Sequence, residues 1–120
     1  MVKVLAIEDD PLTRDAIINI LSLKGISAIA AVDGRSGLQL AKEIIPELIL
    51  CDIRMPELNG YDVLKALRQD SKTATIPLIF LTAETNSEVI EKGQQLGVNG
   101  YLNKPFTTAE LLSAIAPYLS

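Results

Sequence analysis

The 120-residue sequence contains no histidine. This excludes Ser-His-Asp and Cys-His nucleophile systems, and it excludes every metal site that needs a histidine ligand. Tryptophan is also absent, and aromatic residues make up only 4% of the chain, so the core must be built from aliphatic side chains. Any chemistry must therefore use carboxylates, hydroxyls and lysine.

Cysteine and positive charge are scarce as well. The only cysteine, Cys51, lies inside an apolar run, so no internal disulfide can form and we expect a reducing, cytoplasmic environment. The 11 basic residues are outnumbered by 15 acidic residues, and the formal net charge is -4. This balance argues against direct binding to nucleic acid. We also expect no membrane insertion, because no apolar stretch approaches the ~20 residues of a membrane span.

Five short apolar segments alternate with segments of helical periodicity. The predicted strands are residues 2–7, 27–32, 48–52, 76–81 and 100–103. The predicted helices are residues 11–24, 36–45, 61–68, 86–96 and 107–116, and Asp10 and Thr107 are the expected caps of the first and last. The connections between strands are too long for hairpins, which predicts an α/β fold with a parallel sheet and helices on both faces.

Polar residues stand at the ends of four of these strands. Glu8 and Asp9 follow the first strand, Asp52 ends the third, Thr82 follows the fourth and Lys104 follows the fifth. Each residue alone has a structural explanation, as a helix cap, a turn hydroxyl or a solvated surface charge. The carboxyl ends of parallel strands, however, meet at one edge of the sheet, where ligands bind. The set of residues therefore predicts a site.

The charges of this set favour a divalent cation. Three carboxylates in one crevice repel one another, and without a cation one of them would hold a proton. Mg2+ prefers one or two carboxylates with water and phosphate oxygens, which matches Asp9 and Asp52 with Glu8 nearby or acting through water; Mn2+ is the alternative ion. Thr82 and Lys104 would then bind phosphoryl oxygens, and Asp52 would be the nucleophile.

Four segments carry the pattern of a known family. They are VLAIEDDP at residues 4–11, DIRMP at 52–56 with Gly60, LTA at 81–83 and YLNKPF at 101–106. With these motifs the whole chain resembles the receiver domain of bacterial two-component response regulators, in particular the stand-alone chemotaxis type. The resemblance implies a three-layer, flavodoxin-like (βα)5 fold with strand order 2-1-3-4-5. It also implies that residues 1–120 are a single receiver domain without an output domain.

The resemblance implies a phosphorelay function centred on Asp52. This residue would accept a phosphoryl group from the phosphohistidine of a sensor histidine kinase or a histidine phosphotransfer protein. Mg2+ would be held by Glu8, Asp9, Asp52 and the backbone carbonyl of Arg54, and the Lys104–Pro105 bond would be cis. The family often has Asp where this chain has Glu8, so its contact with the metal is left open as direct or through water. The expected role is a phosphoacceptor regulator, not an enzyme, which promotes only its own phosphoryl transfer and autodephosphorylation.

The resemblance also implies a switch and a pair of residues that tune its lifetime. Phosphorylated Asp52 would draw Thr82 inward, and Tyr101 would fill the vacated space. This would reshape the face made by the fourth helix, fifth strand and fifth helix, where a downstream target protein would bind. Arg54 and Glu84 stand at the lifetime-tuning positions. We hypothesise that they pair and screen the attacking water, with two solvated side chains as the alternative.

Three other functions share parts of this pattern. A flavodoxin-like nucleotide or flavin binder has the same architecture, but the acidic run at residues 8–10 would repel a phosphate that lacks a metal. An aspartyl-phosphate hydrolase uses the same groups, yet it usually needs a cap or longer loops for which this chain has no spare residues. A receiver fold used only for binding is the third alternative.

The last helix carries an apolar arc wider than packing on the sheet requires. We predict that a partner or a weak homodimer covers the excess, with fraying before Pro117 as the alternative explanation. The residues of the arc are Leu111, Leu112, Ala114, Ile115, Ala116, Tyr118 and Leu119.

Overall fold

The computed structural model describes residues 2–84 and 86–119, in which five strands alternate with five α-helices. The strands are β1 (Val4–Ile7), β2 (Ala28–Ala31), β3 (Leu48–Asp52), β4 (Leu78–Thr82) and β5 (Gly100–Asn103). The helices are α1 (Pro11–Leu23), α2 (Gly34–Ile44), α3 (Gly60–Gln69), α4 (Ser87–Leu96) and α5 (Thr108–Ile115), and a 3-10 turn (Ala116–Tyr118) follows α5. Over the described ranges, no helix is both long enough and apolar enough to cross a membrane.

The strands form one parallel sheet in the order β2-β1-β3-β4-β5. One face of the sheet packs against buried residues of α1 and α5, and the other face packs against α2 and α3 with partly buried residues of α4. This three-layer α/β arrangement confirms the predicted fold. Parallel strands require a crossover for each connection, which explains why a helix separates every strand from the next.

The central strands β1 and β3 are apolar throughout because both of their faces are covered. Every residue of Val4–Ile7 is fully buried, and so are the four residues of β3 before Asp52. A strand buried on both faces has no need of alternating polar residues. The run therefore stays apolar until β3 reaches the edge of the sheet at Asp52, which is 7% exposed.

Side-chain caps set the beginning of the first and last helices, as predicted. The Asp10 side chain accepts a hydrogen bond from the Thr13 backbone N–H, and Pro11 occupies the first helical position. At α5, Thr107 and Glu110 each accept a hydrogen bond from the other's backbone N–H. These bonds satisfy donors that would otherwise lack a partner in the first helical turn.

Several boundaries differ from the prediction by one or two residues, and two of these differences have a clear local reason. Helix α2 begins at Gly34, two residues before the predicted start, because the Asp33 side chain caps the helix by accepting a hydrogen bond from Ser36. Strand β4 begins at Leu78 instead of residue 76. Pro77 precedes it and has no N–H to donate to a neighbouring strand, so regular pairing starts one residue later.

The apolar arc of the last helix is covered largely by the chain itself. Leu111 and Ile115 are buried, and four more of its residues pack partly buried against the same core: Leu112, Ala114, Tyr118 and Leu119. The Tyr118 hydroxyl also donates a hydrogen bond to the Asn99 carbonyl. Helix α5 ends at Ile115, before Pro117. Little apolar surface is left for a second chain, and the weak homodimer stays a prediction.

Candidate functional site

The carboxyl ends of β1 and β3 place three carboxylates in one crevice. Ile7 pairs with Cys51, so the residues that follow, Glu8 and Asp52, emerge side by side. Glu8 is fully buried, Asp52 nearly so, and Asp9 is exposed. One carboxylate oxygen from each of the three lies within 4.8 Å of the others. The structure thus brings the three predicted acidic residues together.

Lys104 reaches this crevice from the end of β5 and bridges two of the carboxylates. Its Nζ lies 2.7 Å from Glu8 Oε1 and 3.2 Å from Asp52 Oδ2. The Lys104 backbone N–H donates to the Thr82 carbonyl at 2.9 Å, which holds the start of this loop against β4. The Lys104–Pro105 bond is cis, the geometry that the family resemblance implies. One ammonium group therefore compensates two of the three negative charges in part.

Glu8 has the most perturbed carboxyl group of the site. Its pKa is raised to about 7, chiefly because burial disfavours the charged form; the charge of Asp52 acts in the same direction, and the hydrogen bonds from Lys104 and from the Asp10 N–H oppose it. For Lys104, burial opposes the charged form, but the hydrogen bond to Glu8 and the charge of Asp52 outweigh burial and raise its pKa. Lys104 therefore stays positively charged, while the protonation of Glu8 depends on the charges near it.

Arg14 also belongs to the site, although the sequence analysis did not identify it. Its Nη1 donates to the carbonyls of Glu8 at 3.1 Å and Asp9 at 3.4 Å. The guanidinium group thereby holds the backbone of the acidic loop. The available signal was its spacing: Arg14 comes four residues after the cap Asp10, so it lies on the side of the first helical turn that faces the preceding loop.

The donor set of this crevice fits a magnesium ion. All three side chains offer hard carboxylate oxygens, the ligand type that Mg2+ prefers. Three carboxylates against one ammonium leave two formal negative charges, which a divalent cation neutralises. With a cation bound, the positive charges of the cation and of Lys104 would also suit this site to a negatively charged phosphoryl group.

Comparison with known proteins agrees with this geometry. The sequence profile of the response regulator receiver domain matches residues 4–116. The chain belongs to this family. Receiver domains are the phosphoacceptor signalling switches of two-component systems and bind Mg2+ at an acidic pocket. The structure of chemotaxis protein CheY4 of Vibrio cholerae is similar, with a TM-score of 0.94, 34% sequence identity and 99% coverage of both chains.

Two of the other similar proteins are about twice as long as this chain, and one similar structure contains a bound metal ion. The transcriptional regulators RpaA of Synechocystis and CpxR of Escherichia coli are 36% and 39% identical over 119 residues, which is 99% of this chain but 49% and 50% of theirs. The chain thus spans about half the length of these curated relatives. The receiver domain of a sensor histidine kinase from Pseudomonas aeruginosa, solved with a magnesium ion coordinated in its active-site cleft, has a TM-score of 0.89 and 31% identity, with 97% and 95% coverage of the two chains.

Thr82 and Tyr101, the two residues predicted to form a switch, make separate contacts. The Thr82 hydroxyl accepts a hydrogen bond from the Glu84 N–H at 2.9 Å and donates to the Glu84 carbonyl at 3.0 Å. Both bonds tie Thr82, the last residue of β4, to the loop that follows the strand. The Tyr101 hydroxyl donates to the Ile90 carbonyl of α4 at 2.8 Å, and its ring packs against Phe80 with 6.0 Å between ring centroids.

Arg54 and Glu84 form the ion pair that the sequence analysis hypothesised. Arg54 Nε donates to Glu84 Oε1, and this hydrogen bond lowers the pKa of the Glu84 carboxyl group. The pair lies at the rim of a cleft of ≈ 430 Å³ whose lining also includes Thr82, Met55 and Tyr61. Side chains from the loops after β3 and β4 therefore meet close to the end of β3, where Asp52 lies.

Proposed function

We propose that this receiver domain accepts a phosphoryl group on Asp52 from the phosphohistidine of a sensor histidine kinase or a histidine phosphotransfer protein. The observation that carries the proposal is the position of Asp52 at the end of the central strand β3. There its Oδ2 lies 3.2 Å from the Lys104 ammonium group and beside two further carboxylates. These 120 residues contain no histidine, so the donor histidine lies outside them.

The transfer exchanges one phosphorus bond for another. An oxygen of the Asp52 carboxylate attacks the phosphorus atom, the P–N bond to the donor imidazole breaks, and the P–O bond of an acyl phosphate forms. The electron pair of the broken bond leaves with the imidazole nitrogen. Lys104, already 3.2 Å from Asp52, would hold an equatorial phosphoryl oxygen by a charge-assisted hydrogen bond. Autodephosphorylation by water would return Asp52 to the carboxylate.

Asp9, Asp52 and the backbone carbonyl of Arg54 would hold Mg2+, or Mn2+ in its place. When bound, the cation neutralises charge that develops on the phosphoryl oxygens. Both oxygens of Glu8 already accept hydrogen bonds, one from Lys104 and one from the Asp10 N–H. We therefore assign Glu8 a contact through water, which is the second of the two alternatives that the sequence left open.

The output of this domain would be a change of surface, not a product. Phosphorylation would free Thr82 from its loop and turn Tyr101 inward, which would reshape the face formed by α4, β5 and α5 for a downstream target protein. This proposal is supported by the Tyr101 hydroxyl, which contacts the α4 backbone directly. A change in the direction of that side chain therefore changes what holds α4.

Incubation with acetyl phosphate tests the proposed function. With Mg2+, mass spectrometry is expected to show one added phosphoryl group per chain, labile to base as an acyl phosphate is, and EDTA is expected to prevent its formation. Steady release of phosphate from a phosphate ester, far above the protein concentration, would instead support the aspartyl-phosphate hydrolase. No modification under either condition would support a receiver fold used only for binding.

The Arg54–Glu84 pair is expected to lengthen the phosphorylated state. The ion pair lies at the rim of the cleft, where it would partly screen the path of the attacking water. Arg54→Ala is therefore expected to accelerate dephosphorylation a few-fold, a modest effect because both side chains are exposed. The measurement is the decay of phosphoprotein after acetyl phosphate is removed. Lys65→Ala, which removes an exposed cation from α3, is the control; equal decay rates in the wild type and Arg54→Ala would contradict the hypothesis.

A further inference from the structure

Gly93 leaves a notch in helix α4 that the Tyr101 phenol occupies. Among the described residues of α4, Gly93 is the only buried one. A Cβ atom at position 93 would lie 2.0 Å from Tyr101 Oη and 3.0 Å from its Cζ, distances at which the side chain would have to move. Because glycine disfavours the middle of a helix relative to alanine, its presence there requires a packing reason. The tyrosine supplies that reason.

The notch also exposes backbone that a helix normally covers. The Tyr101 hydroxyl lies 2.8 Å from the carbonyl oxygen of Ile90 and 3.3 Å from that of Val89. Position 93 is three and four residues beyond these two, so its side chain would stand over their carbonyl groups on the same face of the helix. Only a glycine at this position lets a phenol reach them.

Helix α4 is held differently at its two ends. At the carboxyl end, Nη2 of Arg68 on α3 donates hydrogen bonds to the Gly97 carbonyl and to Asn99 Oδ1, both at 3.0 Å. Nη1 of the same side chain donates to the Ile76 carbonyl at 2.7 Å. Toward the amino end, the hydrogen bonds from Tyr101 reach the helix backbone at residues 89 and 90. Release of Tyr101 would therefore loosen the amino-terminal half of α4 while Arg68 keeps its other end in place.

The register of the sheet connects this notch with the phosphoacceptor site. Tyr101 pairs with Phe80, and Thr82 lies two residues further along β4 on the same face. The ring of Tyr101 contacts that of Phe80, with 6.0 Å between centroids. Thr82 thus occupies the space next to the Tyr101 ring, on the side toward the carboxyl ends of the strands. A Tyr101 side chain that leaves the notch can enter that space only after Thr82 has moved.

We propose that Gly93 is a positioning residue of the phosphorylation switch, because its notch holds the Tyr101 hydroxyl on α4 as long as Thr82 is bound to its own loop. This inference rests on the proposed function. Phosphorylation of Asp52 removes Thr82 from the path, and Tyr101 leaves the notch. The notch therefore favours the unphosphorylated form, and filling it shifts the population toward the phosphorylated form.

A stability cycle tests the notch without any phosphoryl chemistry. Gly93→Ala is expected to lower Tm by a few degrees in the wild type, because the new methyl group collides with Tyr101. In a Tyr101→Ala background the same substitution is expected to be clearly less destabilising, since the phenol is gone, alanine is the better helix former, and only Val98 Cγ1 at 3.1 Å is left to shift. The same change in Tm in both backgrounds would show that Gly93 does not make room for the Tyr101 phenol.

A phosphoryl mimic tests the role of the notch in the switch. In the presence of Mg2+, the Gly93→Ala variant is expected to bind beryllofluoride a few-fold more tightly than the wild type. In the Tyr101→Ala background, Gly93→Ala is expected to leave this affinity unchanged. Nuclear Overhauser contacts between the Tyr101 ring and Gly93 are expected in the free wild-type protein and lost in the complex.

Equal affinities of the wild type and Gly93→Ala, or contacts that persist in the complex, would overturn the inference. Failure of the wild type to bind the mimic would overturn the proposed function and the role of Gly93 in the switch, while the stability cycle would still decide on the notch itself.

Discussion

Asp52→Asn is expected to reduce labelling by acetyl phosphate and Mg2+ to background. The side-chain amide is neutral, so it is a poor nucleophile and cannot form the acyl phosphate. The substitution also removes one of the two carboxylates, Asp9 and Asp52, that would bind the cation directly. We do not expect Glu8 or Asp9 to replace it, because Glu8 is fully buried with both oxygens hydrogen-bonded and Asp9 would be bound to the cation. The readout is incorporation of radiolabelled phosphoryl groups or the increase in mass.

Asp10→Asn is the matched control for this experiment. It makes the same chemical change close to the site, but the Asp10 carboxylate bonds to the Thr13 N–H and hydroxyl as the cap of α1. Asparagine caps helices about as well as aspartate, so the helix and the labelling are both expected to persist. Labelling of Asp52→Asn at the wild-type level would place the phosphoacceptor elsewhere. Circular dichroism of both variants verifies that they are folded.

Gly60→Ala is expected to have the largest effect on stability and to disturb the site as well. A Cβ at position 60 would lie 2.4 Å from the Asp52 carbonyl oxygen and 2.8 Å from Ile53 Cα. These are backbone atoms, which cannot rotate away as the end of a flexible side chain can. The start of α3 and the end of β3 must therefore separate, which strains the hydrogen bond from the Gly60 N–H to the Ile53 carbonyl, now 2.8 Å long.

We expect this overpacking to lower the free energy of unfolding by about 1–3 kcal/mol. Because the displaced segment carries Asp52 and the Arg54 carbonyl, the rate of labelling is also expected to fall, by up to about a hundredfold for a shift near 1 Å. Urea denaturation and initial labelling rates measure the two effects. Gly100→Ala is the control, since a Cβ there would meet its nearest neighbour, Ile79, at 3.8 Å. Equal losses of stability in the two variants would contradict the steric explanation.

Short-range signals in the sequence were sufficient for the elements and for the composition of the site. The apolar run that ends at Asp52 predicts a strand buried on both faces, and the structure shows that burial. Asp10 and the Thr107–Glu110 pair predict the helix starts, because a cap depends on residues within one turn. Convergence of the carboxylates follows from parallel strand direction alone, since the ends of parallel strands share one edge.

Three features of the structure differ from the prediction or were absent from it, for different physical reasons. Helix α2 starts two residues early because of a local cap at Asp33, which the apolar periodicity of the helix does not contain. Coverage of the apolar arc on α5 depends on how closely the chain after it folds back on the core, which the helical pattern does not contain. The spacing of Arg14 from Asp10 places it in the first turn of α1. Its hydrogen bond to the Glu8 carbonyl can be inferred only when the path of the acidic loop is known.

The sequence by itself therefore determined the strand and helix order, the parallel sheet, and the identity of the carboxylates, hydroxyl and lysine at its edge. Only the tertiary structure decided which partner two of the side chains take: Lys104 on Glu8 and Asp52, and Tyr101 in the notch at Gly93. The physical reason is range. Strand and helix formation depends on neighbours in the chain, whereas these contacts join residues that come within hydrogen-bonding distance only after the sheet and helices have packed.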